Sequence, residues 1–359
     1  MTNKLQEVFS ASQFAGYVED VNPSLTAGNL FEALFPISGM DGLDFSYIKS
    51  ANGAIELSSP SAFDAEPIAQ NREGFDAVKG ELPLFRKKMV LSEKEKYTLN
   101  LYLNANNEEG VKRLLSQIYN DQLTLLTGSL ATMEFLRARA LMDGKITMLS
   151  KGGAVAIDYK VPVANKHTLS GTDMWSDPTA DIVGYIQDAL DIVEDETGIR
   201  PSRMALNRKT FRYLRDNEQI RANLLPLGIM ASATVQDQAI INDAQIMGTF
   251  KALTGINEVM VYNKKVALDG TMYDLVEDNK VAIFPASELG KTMVGTSPAE
   301  LSASMANAAG AQIAITGEGI AINVVTKTDA PYTTETQVEF VGLPSFPMSD
   351  KLVLMTVHA

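Results

Sequence analysis

From about Asn107 to Met142 one helical stripe runs through the sequence. Val111, Leu115, Ile118, Leu125, Leu126, Met133, Leu136 and Ala140 recur at three- and four-residue steps. Gly128 interrupts the stripe, at about 1 kcal/mol relative to alanine. Asp143-Gly144 closes it as a helix C-terminus should. A helix of roughly thirty residues is well above the common length; the alternative is two helices broken near Gly128.

What precedes that helix lacks a core of its own. Residues 44–104 look extended: Phe45–Lys49, Ala54–Leu57 and Phe85–Leu91 have strand-like composition, with Ser58, Ser59, Pro60, Pro67, Asn71 and Gly74 between them. This reads as a long projecting hairpin, an element unstable alone in water. The leading residues offer a short amphipathic helix, Gln6 to Val18, and an apolar patch, Leu30 to Phe35, stopped by Pro36. Stretches 1–43 and 58–84 are therefore expected to find cover on identical copies. The plainer alternative packs the N-terminal extension on its own domain.

After the helix, Lys145–Met148 and Ala154–Tyr159 form a hairpin around Gly152-Gly153, and Trp175 and Pro178 sit in a loop. A helix over Thr179–Glu196 follows, then a buried strand at Met204–Leu206. Asn207 caps a helix from Arg208 to about Ile220. Val235–Gly248 reads as another helix. Val259–Tyr262 and Val281–Phe284 are short β-rich runs around the Asp269-Gly270 turn. Ile320–Val325, Gln337–Val341 and Lys351–Val357 are the last strands. Many strands are hairpins rather than crossover pairs, so the fold class is α+β, not a doubly wound parallel sheet.

The chain has 359 residues, enough for one large domain or two intertwined ones. Thirty-one Lys and Arg against 44 Asp and Glu leave a net charge of −13. Such a chain is repelled by nucleic acid at long range, and a sequence-reading DNA protein needs a basic patch. The run Arg86-Lys87-Lys88 is soon followed by Glu93 and Glu95. The absence of cysteine excludes disulfides, thiolate metal sites and cysteine nucleophiles. No apolar stretch is long enough for a membrane span, and Met1–Glu7 does not read as a signal peptide, so the expected place is the cytoplasm.

No catalytic constellation emerges, and no enzyme activity, metal or cofactor is expected. His167 and His358 are the only histidines, and no Gly-x-Ser-x-Gly elbow accompanies them. Leu289-Gly290-Lys291-Thr292 imitates the end of a phosphate-binding loop, but Pro285 stands where its first glycine is needed. Gly317-Glu-Gly319 lacks the third glycine of a dinucleotide turn. Asp173, Asp177 and Asp181, and then Asp188, Asp191, Glu194 and Asp195, lack a calcium-loop pattern and read as solvated faces.

Four places carry a family resemblance. They are Glu81–Arg86 running into Val90, Leu136–Lys145, Trp175 with Asp177–Asp181, and Leu343-Pro344 with Pro347 followed by Asp350–Val357. In this order they resemble the lambda-like major capsid family of tailed bacteriophages, whose fold is the Hong Kong 97-type capsid fold. The resemblance covers the chain from about residue 45 onward. It implies an N-terminal arm (1–43), an extended loop and its base (44–104), a peripheral domain with a spine helix over 107–142 (105–179), an axial domain (180–320) and return strands (321–359).

The function this implies is self-assembly into hexamers and pentamers that enclose double-stranded DNA without reading its sequence, in the virion and, during assembly, in the host cytoplasm. A scaffolding protein, a portal and a decoration protein are the implied partners, and no membrane is. Phe31, Phe35, Phe85, Arg86, Lys87, Lys88 and Trp175 are the candidate subunit-interface residues. Some members of the wider fold weld subunits through a loop lysine and an asparagine near the C-terminus. Lys87 or Lys88 could supply the lysine, but no asparagine follows Asn323. Shells dissolved in hot detergent should therefore run as single-subunit bands; a ladder would refute this. The rivals are an encapsulin-like cargo shell, another phage structural protein such as a tail tube, and a hydrolase using the carboxylates of 173–195.

Overall fold

The computed structural model describes residues 28–40, 42–49, 76–105, 108–150, 153–224, 242–305, 311–316, 319–327 and 329–358. The helix expected at Gln6–Val18, the strand at Ala54–Leu57 and the first part of the helix at Val235–Gly248 lie outside the described residues.

Strands β1 (Ile37–Met40), β2 (Asp44–Lys49), β3 (Asp76–Glu81) and β4 (Leu84–Leu91) lead into helices α1 (Glu93–Asn104) and α2 (Glu108–Asp143). Next come the hairpin β5 (Lys145–Ser150) and β6 (Gly153–Asp158), then β7 (Lys166–Thr168) and α3 (Ile182–Thr197). β8 (Arg203–Leu206) is followed by α4 (Arg208–Asp216), α5 (Glu218–Ala222) and α6 (Asp243–Thr254). Four strands then follow: β9 (Glu258–Val261), β10 (Lys265–Leu268), β11 (Thr271–Asp274) and β12 (Lys280–Phe284). The chain continues through β13 (Thr292–Gly295), α7 (Pro298–Met305), β14 (Ala311–Ile315), β15 (Ala321–Thr326), β16 (Thr334–Pro344) and β17 (Val353–Thr356).

Helix α2 is unbroken at Gly128 and runs 36 residues, about 54 Å at 1.5 Å per residue. It ends at Gly144, whose φ of +64° is left-handed. A Cβ there would lie 2.5 Å from Val161 Cγ2, so both the backbone and the packing demand glycine. Leu125, Leu126, Leu130 and Met133 pack on Ile322, Val338 and Phe340 of a six-stranded sheet. That sheet has the order β1-β13-β16-β15-β14, with β4 on the other edge of β16. The second half of α2 packs on Phe31, Leu34, Phe35, Leu343 and Phe346.

A second sheet, β7-β17-β12-β8-β9, holds the other core. Its strands bury Met204, Leu206, Val281, Ile283 and Val353 against Ile186, Leu190 and Val193 of α3 and Phe211 and Leu214 of α4. Capping is local and readable. Asp181 accepts from the Gly184 N–H at 3.0 Å, and Gly198 closes α3 in the left-handed region. Asn207 accepts from the Thr210 N–H at 2.8 Å.

Several expectations need correction. Residues 93–104 are helical, not extended: Ser92 and Glu95 form a capping box, with Ser92 N–H donating to Glu95 Oε2 at 2.8 Å. The helix from Arg208 stops at Asp216, because Asn217 turns out of helical geometry and caps α5 instead. The Asp269-Gly270 turn, with φ of 50° and 86°, joins β10 to β11; Val259–Tyr262 and Val281–Phe284 instead flank β8. The sheets also cut across the expected domain bounds. Val353–Thr356 belongs with the second sheet, and 292–315 with the first, because the pairing partners are set by long-range burial.

Asn217 supports one stability prediction. Its buried side chain accepts from the Ile220 N–H at 3.1 Å and donates to the carbonyls of Pro178 (3.1 Å) and Ala180 (2.8 Å). Asn217→Ala removes a cap and leaves two acceptors short, which should cost about 2 kcal/mol, read as a lower thermal midpoint.

Candidate functional site

On the buried side of α2, Glu134 is 0% exposed. It accepts hydrogen bonds from the Phe31 backbone N–H and the Tyr262 hydroxyl, each at 3.1 Å. Arg137, also buried, donates from Nε to Thr292 Oγ1 at 2.9 Å, and its Nη1 lies 3.6 Å from Glu134 and 3.9 Å from Glu32. Thr292 Oγ1 in turn donates to the Phe35 carbonyl at 2.8 Å. The backbone N–H groups of Leu289 and Thr292 donate to the carbonyls of Leu34 (3.0 Å) and Pro36 (2.8 Å). Burial raises the Glu134 carboxyl above its ordinary pKa, opposed by the Phe31 N–H and the Arg137 charge. Burial likewise lowers that of Arg137.

This hub straps residues 31–36 onto α2, β13 and the segment after β9. Phe31 meets Tyr262 edge-on at 5.1 Å and Phe35 meets Phe346 at 5.3 Å. Both phenylalanines are fully buried, as is Trp175, which packs in the second core while its backbone N–H donates to the Val357 carbonyl at 2.9 Å. As interface candidates Phe31, Phe35 and Trp175 are therefore corrected: their own chain covers them. In the described part of the arm, 28–40, Phe31, Leu34 and Phe35 are buried in their own subunit while Gly28, Ala33 and Gly39 are exposed; residues 1–27 and 50–75 lie outside the described residues.

The other candidates sit together on β4. Phe85 is half-buried and stacks on Phe340 at 4.8 Å. Exposed Arg86 meets buried Glu339 at 2.5 Å, and Glu339 also accepts from the Ala299 N–H at the start of α7, at 2.6 Å. Lys88 and Lys327 bracket Glu335 at 3.1 and 2.8 Å. Lys87 points the other way, toward Gly128 of α2. Hydrogen bonds from Lys327 and then Lys88 hold the Glu335 carboxyl at about 2.

A depressed carboxyl stabilises the fold above its unfolded value and loses that contribution as pH falls through the folded one. Glu335→Gln should thus lower the thermal midpoint near pH 6, and the gap from the unsubstituted chain should close between about pH 4.5 and pH 2.

The enzyme-like motifs have structural explanations. A Cβ on Gly290 would lie 2.0 Å from the Ser345 carbonyl oxygen, so this glycine admits the backbone just past β16, not a phosphate. Asp191 and Glu194 each meet Arg200 at 2.5 Å, and Asp177 accepts from the Thr179 N–H and hydroxyl. Among the described residues no group of three or more His, Asp or Glu side chains is placed to hold a metal, and no helix is long and apolar enough to cross a membrane. Large apolar side chains are nevertheless left in water: Leu149 is 78% exposed, Val163 84%, Tyr97 67% and Met272 62%. Leu149 lies on β5, Met272 on β11, Tyr97 on α1 and Val163 in the turn before β7, and the sequence offered no signal for these four.

The whole fold has solved counterparts. It is similar to a phage-related protein from Bordetella bronchiseptica RB50, with TM-score 0.50 and 15% identity, over 93% of this chain and 96% of that one. It is also similar to a protein assigned as a prophage capsid protein from E. coli CFT073, with TM-score 0.52 and 16% identity, over 79% of each chain. Two sheets, a long helix and an N-terminal strap thus make an α+β fold of the Hong Kong 97 capsid type. The chain belongs to the family described as phage major capsid protein E, whose model matches residues 36–337. A major capsid protein of Pseudomonas phage JBD67 is 46% identical over 56 residues, 16% of this chain and 17% of that protein, so the match spans about a sixth of the curated relative.

Proposed function

We propose that copies of this chain close into hexamers and pentamers, which form the icosahedral head shell around phage double-stranded DNA. The family match over 36–337 carries this reading. The unpartnered apolar side chains support it, since a closed symmetric assembly gives them cover. So does the net charge of −13, which suits a wall that holds DNA without adhering to it. In this reading the second sheet with α3–α6 is the axial part, facing symmetry mates at the capsomer centre. The first sheet with α2 is the peripheral part. Phe85–Lys88 lie at a subunit boundary. A scaffolding protein guides closure, a portal occupies one vertex, and a decoration protein binds outside. The shell assembles in the host cytoplasm and ends in the virion.

The test is to express the chain with and without a scaffold candidate and image the soluble fraction by electron microscopy. Closed shells or capsomer rings are expected, with nucleic acid rather than an enzyme inside mature particles. A compact monomer at high concentration overturns the reading.

A further inference from the structure

The helical layer over the second sheet carries opposite charge on its two flanks. Helix α6 packs on both. Its Asp243 meets Arg208 of α4 at 3.2 Å, and its Leu253 carbonyl accepts from Gln187 of α3 at 2.8 Å. On one flank, α3 has five carboxylates and no basic residue. On the other, α4 has four basic residues and one carboxylate within nine positions. Some of these charges are satisfied at home. Arg200 takes Asp191 and Glu194, Asp278 takes Lys209, and Asp216 takes Arg215. Exposed Asp188, Asp195 and Glu196 on α3, exposed Arg212 on α4 and half-buried Arg221 on α5 have no ion-pair partner among the described residues.

The spacing on the two flanks agrees. Asp188, Ile192 and Asp195 follow at four- and three-residue steps and share one stripe of α3, with Ile192 40% exposed between the carboxylates. Arg208, Arg212 and Arg215 repeat the same steps on α4. Arginine stems can cover an isoleucine while their guanidinium heads reach the carboxylates beside it.

Resting on the self-assembly reading, we propose that the acidic face of α3 docks on the basic face of α4–α5 of a second copy, head to tail. A contact between two different faces repeats from copy to copy and closes into a ring. A foreign polyanion fits less well, since the α3 carboxylates in the same layer and the net charge of −13 repel it. Exposed ion pairs are weak singly, so the ring draws on several at once and loosens as salt screens them.

Arg212→Glu with Arg221→Glu, or Asp188→Lys with Asp195→Lys, should each cut shell yield at least about tenfold without moving the subunit's melting temperature. All four substitutions on one chain should restore shells, because both sides of the contact are then reversed together. A mixture of the two double variants can satisfy every contact only by alternating, which needs an even number of copies. It should give six-membered capsomers and few closed shells. Ile192→Cys and Arg215→Cys leave those four charges in place, on a chain with no cysteine of its own. A short bis-maleimide should give a dimer band from mixed capsomers of these two single variants that neither gives alone. Mixed capsomers without that band overturn the proposal, as does a double variant that assembles normally or a mixture of the two double variants that closes shells at the unsubstituted yield. A fourfold variant no better than Arg212→Glu with Arg221→Glu assigns the basic face to another polyanion and overturns it too. Failure of the unsubstituted chain to form any shell overturns the self-assembly reading instead.

Discussion

Glu134→Leu should destabilise the subunit by about 3–5 kcal/mol, the cost of removing one partner from a buried ion pair. The guanidinium of Arg137 cannot shed its proton, and Glu32, at 3.9 Å and partly solvated, is its remaining counter-charge among the described residues. The Phe31 N–H and Tyr262 hydroxyl lose their acceptor at the same time. The loss is to be read as a fall in the denaturant midpoint followed by far-UV circular dichroism. Glu134→Leu with Arg137→Met should recover most of it, because replacing both charges by apolar side chains removes the uncompensated one. A double variant no better than Glu134→Leu alone would mean that the arm contacts, not the charge pair, carry the stability.

Gly290→Val should cost about 3 kcal/mol, at the upper end for an overpacked site. Already at Cβ the new side chain would stand 2.0 Å from the Ser345 carbonyl oxygen and 2.8 Å from its carbon, both backbone atoms. Relief requires parting two strands whose ends are joined by the Ser345 N–H to the Lys291 carbonyl at 2.7 Å and the Lys291 N–H to Ser345 Oγ at 3.1 Å. Soluble yield and thermal midpoint should both fall. Unchanged values would mean that the turn after Pro344 shifts freely.

These two sites also mark where sequence reading runs out. Elements with a local cause were legible. The stripe of α2, the Asn207 cap and the two-residue turn at Asp269-Gly270 each follow from a few neighbouring residues. The Ser92–Glu95 capping box was equally local but was overshadowed by the polar, extended-looking composition around it. What stayed hidden depends on distant partners. Phe31 and Phe35 are buried by residues such as Tyr262 and Phe346, far along the chain, so a short apolar patch resembled a surface waiting for a neighbour. Glu134 and Arg137 look like ordinary helix charges, yet Met133–Met142 is buried on all sides. Gly290 resembled a nucleotide loop because its true reason, the backbone at Ser345 just past β16, is not adjacent in sequence.

The path of the chain between its two sheets has a practical consequence. It visits the first through β1 and β4, the second through β7–β9 and β12, the first again through β13–β16, and the second once more at β17. Any contiguous fragment that contains one sheet whole also carries strands of the other, so truncation cannot isolate a module from this subunit. A tensile load entering through β17 acts directly on β12 and β7 and must break both pairings before it can detach the C-terminal strand. A container under internal pressure gains from such stitching, since neither half can be peeled from the other one strand at a time.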